Sequence, residues 1–149
     1  MSSRSTPMKL NDQSIGFLVG DISRHMRRMF QKRLTDSPFT TAQAKVLVHL
    51  SRNEGLRQVD LAELMEVQPI TLARLIDQLS EAGLVERRPD PDDRRAYRLH
   101  LLEKATPHLE MIDQLIAEVT QHALKGLDHI QVGMVMEALQ VMRNNVNNR

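Results

Sequence analysis

Gln68-Pro69-Ile70-Thr71-Leu72-Ala73-Arg74-Leu75-Ile76-Asp77-Gln78-Leu79-Ser80-Glu81-Ala82-Gly83 is the stretch on which the reading of this chain turns. Proline lacks an amide proton and has a preset φ, so Pro69 suits the first position of a helix, and Gly83 suits the position just past its end. The spacing predicts a helix from Pro69 to Ala82 with sharp limits. Stepping about 100° per residue from Leu72 carries Leu75, Ile76 and Leu79 to the same, buried side. Ile70, Arg74, Asp77 and Glu81 fall on the opposite side, with Thr71, Ala73 and Gln78 on the flanks.

Before this helix lies the turn Glu66-Val67-Gln68, and before that a short helix from about Gln58 to Met65, expected to bury Val59, Leu61, Ala62 and Leu64 or Met65. After it come two extended runs, Leu84–Arg88 and Ala96–Leu101. They are joined by Pro89-Asp90-Pro91-Asp92-Asp93-Arg94-Arg95, a linker dense in turn formers. Two helices on a short turn, followed directly by a β-hairpin, make a winged helix-turn-helix, whose second helix enters the major groove of duplex DNA.

Further upstream, Thr40 and Gln43 form a capping-box pattern that opens a helix carrying Val46, Leu47 and Leu50 inward and ending near Gly55. From about Asp12 to Leu34, Ile15, Leu18, Val19, Ile22, Met26, Met29 and Phe30 make one apolar stripe of a long helix. Downstream, Leu109, Ile112, Ile116, Val119 and Ala123 repeat at helical spacing. Ile130, Met134, Val135, Leu139, Met142 and Val146 mark a last helix after Gly126. The fold class expected is mainly α with a small β-hairpin wing: an α+β winged helix-turn-helix over 12–147, its DNA-binding core at 38–102. Residues 1–11, polar and without periodicity, read as a flexible arm.

Composition narrows the function classes. With no cysteine in 149 residues, disulfides, thiolate zinc sites and thiol switches are excluded. No apolar run approaches the roughly 20 residues of a membrane span, and the start MSSRSTPMKLN lacks the apolar core of a secretory signal, so a cytoplasmic protein without a membrane partner is expected. Net charge is only +1, from 20 basic and 19 acidic residues, so a DNA surface must be local. Two basic patches stand out: Arg24, Arg27, Arg28, Lys32 and Arg33 on the first helix, and Arg87, Arg88, Arg94, Arg95 and Arg98 around the wing. An ordinary solvated helix face accounts for the first as well.

The candidate base readers are Gln68, Pro69, Ile70, Thr71 and Arg74, at the N-terminal end of the outward face. A guanidinium can donate bidentately to guanine O6 and N7, which favours Arg74, and Ile70 or Thr71 can meet a thymine methyl. Asp77 and Glu81 would be repelled by phosphate, consistent with a helix that enters the groove by its N-terminus. The plainer alternative is that Arg74 pairs with Asp77 or Gln78 on a wet surface. Arg94 and Arg95 suit a narrow minor groove, with Asp93 expected to pair with a neighbouring arginine and so fix where Arg95 points. Arg57 and Gln58, at a helix start, are placed for phosphates.

Asp90, Asp92 and Asp93 could imitate a carboxylate site. They sit on a hairpin tip expected to be mobile, with no His, Ser or Lys held on a rigid element nearby, so the chain is not expected to be an enzyme. The six histidines include no His-x3-His pair, so neither a metal nor a cofactor is expected. A winged fold serving as a protein dock is the remaining alternative. Cations on both the recognition helix and the wing, at Arg74 and Arg95, favour DNA over that dock.

The run from Gln68 to Leu79, then Gly83-Leu84-Val85, Asp93-Arg94-Arg95-Ala96 and Leu101-Leu102-Glu103-Lys104-Ala105, resembles the MarR family, specifically its SlyA-like branch. The family's Asp-x-Arg wing signature falls on Asp93 and Arg95, and the resemblance covers nearly the whole chain from about Asp12. It implies a homodimer interlocked through helices at 12–36 and 104–147, binding a short palindrome as a repressor or anti-silencer. It also implies a small phenolic or anionic effector that releases DNA, which requires that the effector favour a spacing of the recognition helices that does not fit the site. Ser14, Phe17, His25, Arg28 and His49 are candidates for that ligand site, because their helices should border the cleft. Leu102 and Ala105 replace the Thr and Gly that many members carry at the end of the wing. Whether the next helix begins before or after Pro107 is left open.

Overall fold

The structure, a computed structural model, describes residues 6–11 and 13–147. In chain order the elements are α1 (Ile15–Leu34), α2 (Thr41–Arg52), α3 (Gln58–Leu64), α4 (Pro69–Glu81), β1 (Val85–Pro89), β2 (Tyr97–Leu101), a short 3-10 turn (Glu103–Ala105), α5 (Thr106–Ala123) and α6 (His129–Asn147). This is the mainly helical winged fold expected. Of the expected arm, residues 1–5 lie outside the described residues, as does the expected helix start at Asp12. Residues 6–11 are exposed and carry no regular structure.

Local chemistry explains the helix limits. Thr40 Oγ1 accepts the Gln43 backbone N–H at 3.2 Å while Gln43 Oε1 accepts the Thr40 N–H at 3.0 Å, a complete capping box on α2. Thr40→Ala removes one half of it and is expected to lower stability by about 1 kcal/mol in a urea titration. A second box, at Asp128 and Gln131, opens α6: Gln131 N–H donates to Asp128 Oδ1 at 2.8 Å and Asp128 N–H to Gln131 Oε1 at 3.0 Å. Pro69 stands at the start of α4, and Gly83, with φ 77°, follows its end. α5 begins before Pro107, which its first turn tolerates because an amide there has no helical partner. Lys104 Nζ donates to the Ala82 carbonyl at 3.1 Å and ties the approach to α5 to the end of α4.

The core joins α2, α3, α4, the wing and α5 through Leu47, Leu50, Leu61, Leu72, Ile76, Leu79, Leu99 and Ile112, all fully buried, with Leu34 closing the end of α1. On α3 the expectation needs correcting. Leu61 and Ala62 are buried and Met65, the alternative to Leu64, packs partly buried against the core, but Val59 is 60% and Leu64 52% exposed. At 100° per residue the inward face centres between Leu61 and Ala62, which leaves Val59 and Leu64 roughly at right angles to it or beyond.

The wing pairs antiparallel, Val85 opposite Leu101, Arg87 opposite Leu99 and Pro89 opposite Tyr97. A third piece of backbone joins it. Gly55 N–H donates to Leu99 O at 3.0 Å, Leu99 N–H donates to Leu56 O at 2.9 Å, and Arg57 faces Arg98 across a bridge. The segment just before α3 is thereby sewn to β2, and the helix-turn-helix and wing become one body. Gly55 adopts φ 80°, where a Cβ would also meet the His100 ring at 3.3 Å. Among the described residues no helix is long and apolar enough to cross a membrane.

Candidate nucleic-acid interface

Gln68, Pro69, Ile70, Thr71 and Arg74 all lie exposed on the N-terminal half of α4, with Ile70 at 66%. The residues opposite them, Leu72, Ile76 and Leu79, are buried, so the core itself aims this row at solvent. Arg74 makes no hydrogen bond or ion pair among the described residues. The groups once available to it are taken: Asp77 Oδ1 lies 2.7 Å from Arg87 Nη2, and Gln78 Oε1 accepts from Gln43 Nε2 at 2.9 Å. Asp77 is thus held by a wing arginine, beside the recognition row.

Arg87 is a structural hub. Its Nε donates to Gln58 Oε1 at 2.9 Å and its Nη2 to the Ala73 carbonyl at 3.1 Å, besides the Asp77 contact, so one guanidinium links β1, α3 and α4. Gln58, expected at phosphate, therefore has its side-chain oxygen occupied within the fold. Arg57 is likewise engaged, its Nε donating to Asp90 Oδ2 at 2.7 Å.

The wing tip is better ordered than its composition suggests. Asp90 is buried at 3% exposure and accepts the Asp92 N–H at 2.8 Å, while its Oδ2 also lies 3.2 Å from Arg98 Nε. Arg98 Nη1 in turn donates to the Gly55 carbonyl at 3.0 Å. Asp90 N–H donates to Ala96 O, and Ala96 N–H to Asp93 O, which pins both ends of the loop. The Asp92 N–H holds the Asp90 carboxyl below the usual carboxylate range. Burial opposes that shift, and hydrogen bonding and charge from Arg57, with charge from Arg98, reinforce it. A carboxyl depressed in this way contributes stability that is complete above the ordinary aspartate range and is lost as pH falls through its folded value.

Asp93 differs from expectation. Its Oδ1 accepts the Arg95 backbone N–H at 3.0 Å, an Asx turn, and it pairs with no arginine side chain among the described residues. The arginine-clamped acid is Asp90, three residues earlier. Arg94 and Arg95 are exposed beyond it. Arg95 shares a cleft of about 330 Å³ with Arg57, Gln58, Val59, Pro69 and Tyr97, between wing and helix-turn-helix.

The five ligand candidates do not converge. Ser14, Phe17, His25 and Arg28 run along α1, whereas His49 on α2 lines an apolar cleft of about 160 Å³ with Phe30, Ala44, Lys45, Val48 and Ile116. Burial, then the charges of Arg52 and Lys45, push the His49 imidazole down from its ordinary value. A neighbouring cleft of about 410 Å³ runs along α2 and α5, past Ser51 and Arg52 to Leu109 and Ile116. Sequence reasoning missed Arg87, Asp90 and Arg98 as organisers. Their basic and acidic character was visible, but their partners lie far away in the chain.

Comparison with known proteins agrees with this geometry. The MarR family model matches residues 39–97, from the start of α2 into β2. A protein assigned as the transcriptional regulatory protein for the hcr operon of Thauera aromatica is 28% identical over 133 residues, covering 84% of this chain and 80% of that one. Wild-type MarR from E. coli in its apo form superposes with a TM-score of 0.76 at 25% identity, over 91% of this chain and 98% of that one. The transcriptional regulator SlyA does so at 0.72 and 28%, over 90% and 94%. The winged helix-turn-helix, the family match across its core and the end-to-end superposition together make this chain similar to transcription regulators of the MarR family.

Proposed function

We propose that the chain binds a palindromic duplex site in the cytoplasm as a homodimer and acts as a repressor or anti-silencer, in the manner of the SlyA-like branch. In this reading Gln68, Pro69, Ile70, Thr71 and Arg74 meet base edges in the major groove. Arg94 and Arg95, held by the Asx turn at Asp93, enter the minor groove, and Arg57 and Gln58 lie against phosphates. The observation that carries it is Arg74, an exposed guanidinium at the reading end of α4 without a partner among the described residues, on a helix whose opposite side is core. An arginine so placed is free to donate bidentately to guanine.

The helices at 12–36 and 104–147 serve dimerisation in this reading, and two-fold symmetry in the protein would be mirrored in the half-sites. A small phenolic or anionic effector fits the apolar clefts around Ile116, whose borders carry Lys45, His49 and Arg52. Such a molecule releases DNA only if it binds one spacing of the two recognition helices better than the other.

The test is selection from random duplexes with the purified chain, followed by titration of the selected and a scrambled duplex at several salt concentrations. Arg74→Ala is expected to weaken binding to the selected site by about 1–3 kcal/mol with little effect on the scrambled one, and Arg95→Ala to lower the salt slope by about 1. Equal, weak binding to both duplexes, unchanged by either substitution, would favour a protein-docking module instead.

A further inference from the structure

Asp90 is the one buried charged side chain among the described residues. It sits at the base of a wing tip that, in the reading above, approaches a polyanion. Charge alone makes this a poor place for a carboxylate. Its surroundings indicate another use: Oδ2 takes Arg57 Nε at 2.7 Å and Arg98 Nε at 3.2 Å, and Oδ1 takes the Asp92 N–H at 2.8 Å. Every oxygen is engaged, and the partners come from three places: the residue that opens α3, the beginning of β2, and the tip itself.

We propose that Asp90 is a positioning residue for DNA reading, a clamp that locks the wing to the start of α3 so that Arg95 and the α4 row reach the duplex in one fixed relation. The proposal rests on the DNA-binding function argued above and adds to it the group that sets its geometry. Arg57 gives only its Nε to Asp90, and its side chain remains 37% exposed, lining the same cleft as Arg95. The clamp therefore aims Arg57 without consuming it. A carboxylate that orients one cation and braces the loop carrying another improves the fit to the correct duplex, at the cost of attraction to all duplexes.

That trade gives opposite signs for the two accounts. Were Asp90 merely an acid on a DNA face, Asp90→Asn would remove a negative charge, release two guanidinium groups, and tighten binding to any sequence. As a clamp, its loss lets the wing wander. Binding to the selected duplex is then expected to weaken about tenfold while binding to a scrambled duplex stays level or tightens, so the ratio of the two falls by that factor or more. A cycle with Arg95→Ala sharpens the result: Arg95→Ala should cost the Asp90→Asn chain far less than it costs the native chain, because a misplaced arginine has little left to lose.

The experiment uses the full chain, the duplex obtained by selection and its scrambled counterpart, with Arg98→Gln as a second variant that opens the clamp from the β2 side and leaves the carboxylate in place. Thermal melts identify any variant that is unfolded at the assay temperature, and Arg98→Gln then decides alone. A falling ratio together with a shrunken Arg95 effect supports the clamp. An unchanged ratio, or equal shifts on both duplexes, overturns it while leaving the DNA-reading function intact. If the native chain enriches no sequence at all, the DNA-reading function itself fails, and the clamp with it.

Discussion

In the homodimer proposed above, Leu139→Glu is expected to break the contact, giving a monomer in sedimentation, and to weaken binding to the proposed palindromic duplex by about two orders of magnitude or more. The reason lies in α6. This helix has no buried residue in its own chain, yet it carries Ile130, Met134, Val135, Leu139 and Met142, with Met134 at 66% exposure. The N-terminal half of α1 presents Ile15, Leu18, Val19 and Ile22 in the same way. An apolar helix that buries nothing gains too little to hold its own shape in water, so its stability must come from packing against something else. Leu139 lines an apolar cleft of about 560 Å³ with Ile15, Val19 and Val146, bordered by the first turns of α1 and the C-terminal half of α6. A second copy offers the same two faces and satisfies both at once, as an isologous two-fold contact requires. A carboxylate forced into that contact has no partner and costs several kcal/mol, enough to dissociate it. Each monomer then binds one half-site and loses the gain from tethering. If Leu139→Glu sediments as the native chain does and binds with the same strength, the α1–α6 face is not the dimer contact.

What the sequence disclosed, and what it withheld, follows from the range of the interactions involved. Pro69, Gly83 and the Thr40–Gln43 pair set helix limits by chemistry within a few residues, so those limits were readable in advance. The Asp128–Gln131 box is equally local and was there to be read. The burial of Leu72, Ile76 and Leu79 followed from helical rotation, because a thirteen-residue helix has a well-defined inner face. Short α3 does not: Val59 was assigned inward by hydrophobicity alone, and the choice between Leu64 and Met65 stayed open until the structure turned Met65 inward. The larger misses are long-range. Nothing local in Asp90 says that a residue 33 positions earlier will meet it, and a run of Pro and Asp reads as a loose tip until Arg57 and Arg98 are seen around it. Arg74 shows the converse: its neighbour Asp77, three residues on, was the alternative to a base for it to meet, but Arg87 claims Asp77 from the wing. The segment 55–57, which pairs with β2, is too short to show any alternation.

The second large effect separates what holds α4 in place from what α4 does. Leu72→Ala is expected to destabilise the chain by about 2–5 kcal/mol, because Leu72 is fully buried at the centre of the inner face of α4 and the shortened side chain leaves a cavity. Against a total of roughly 5–15 kcal/mol for a domain of ordinary stability, that moves the urea midpoint sharply down. DNA binding by this variant should fall by the same factor on selected and scrambled duplexes, track the folded fraction, and recover on moving to conditions where the fold is restored. Arg74→Ala, only two residues away but exposed, should do the reverse: its stability change stays within about 0.5 kcal/mol while the preference for the selected site is lost. The contrast tests the orientation of the helix itself. Should Leu72→Ala leave the urea midpoint unmoved, α4 does not pack by this face, and the outward row from Gln68 to Arg74 loses its claim to the major groove together with the core that aims it.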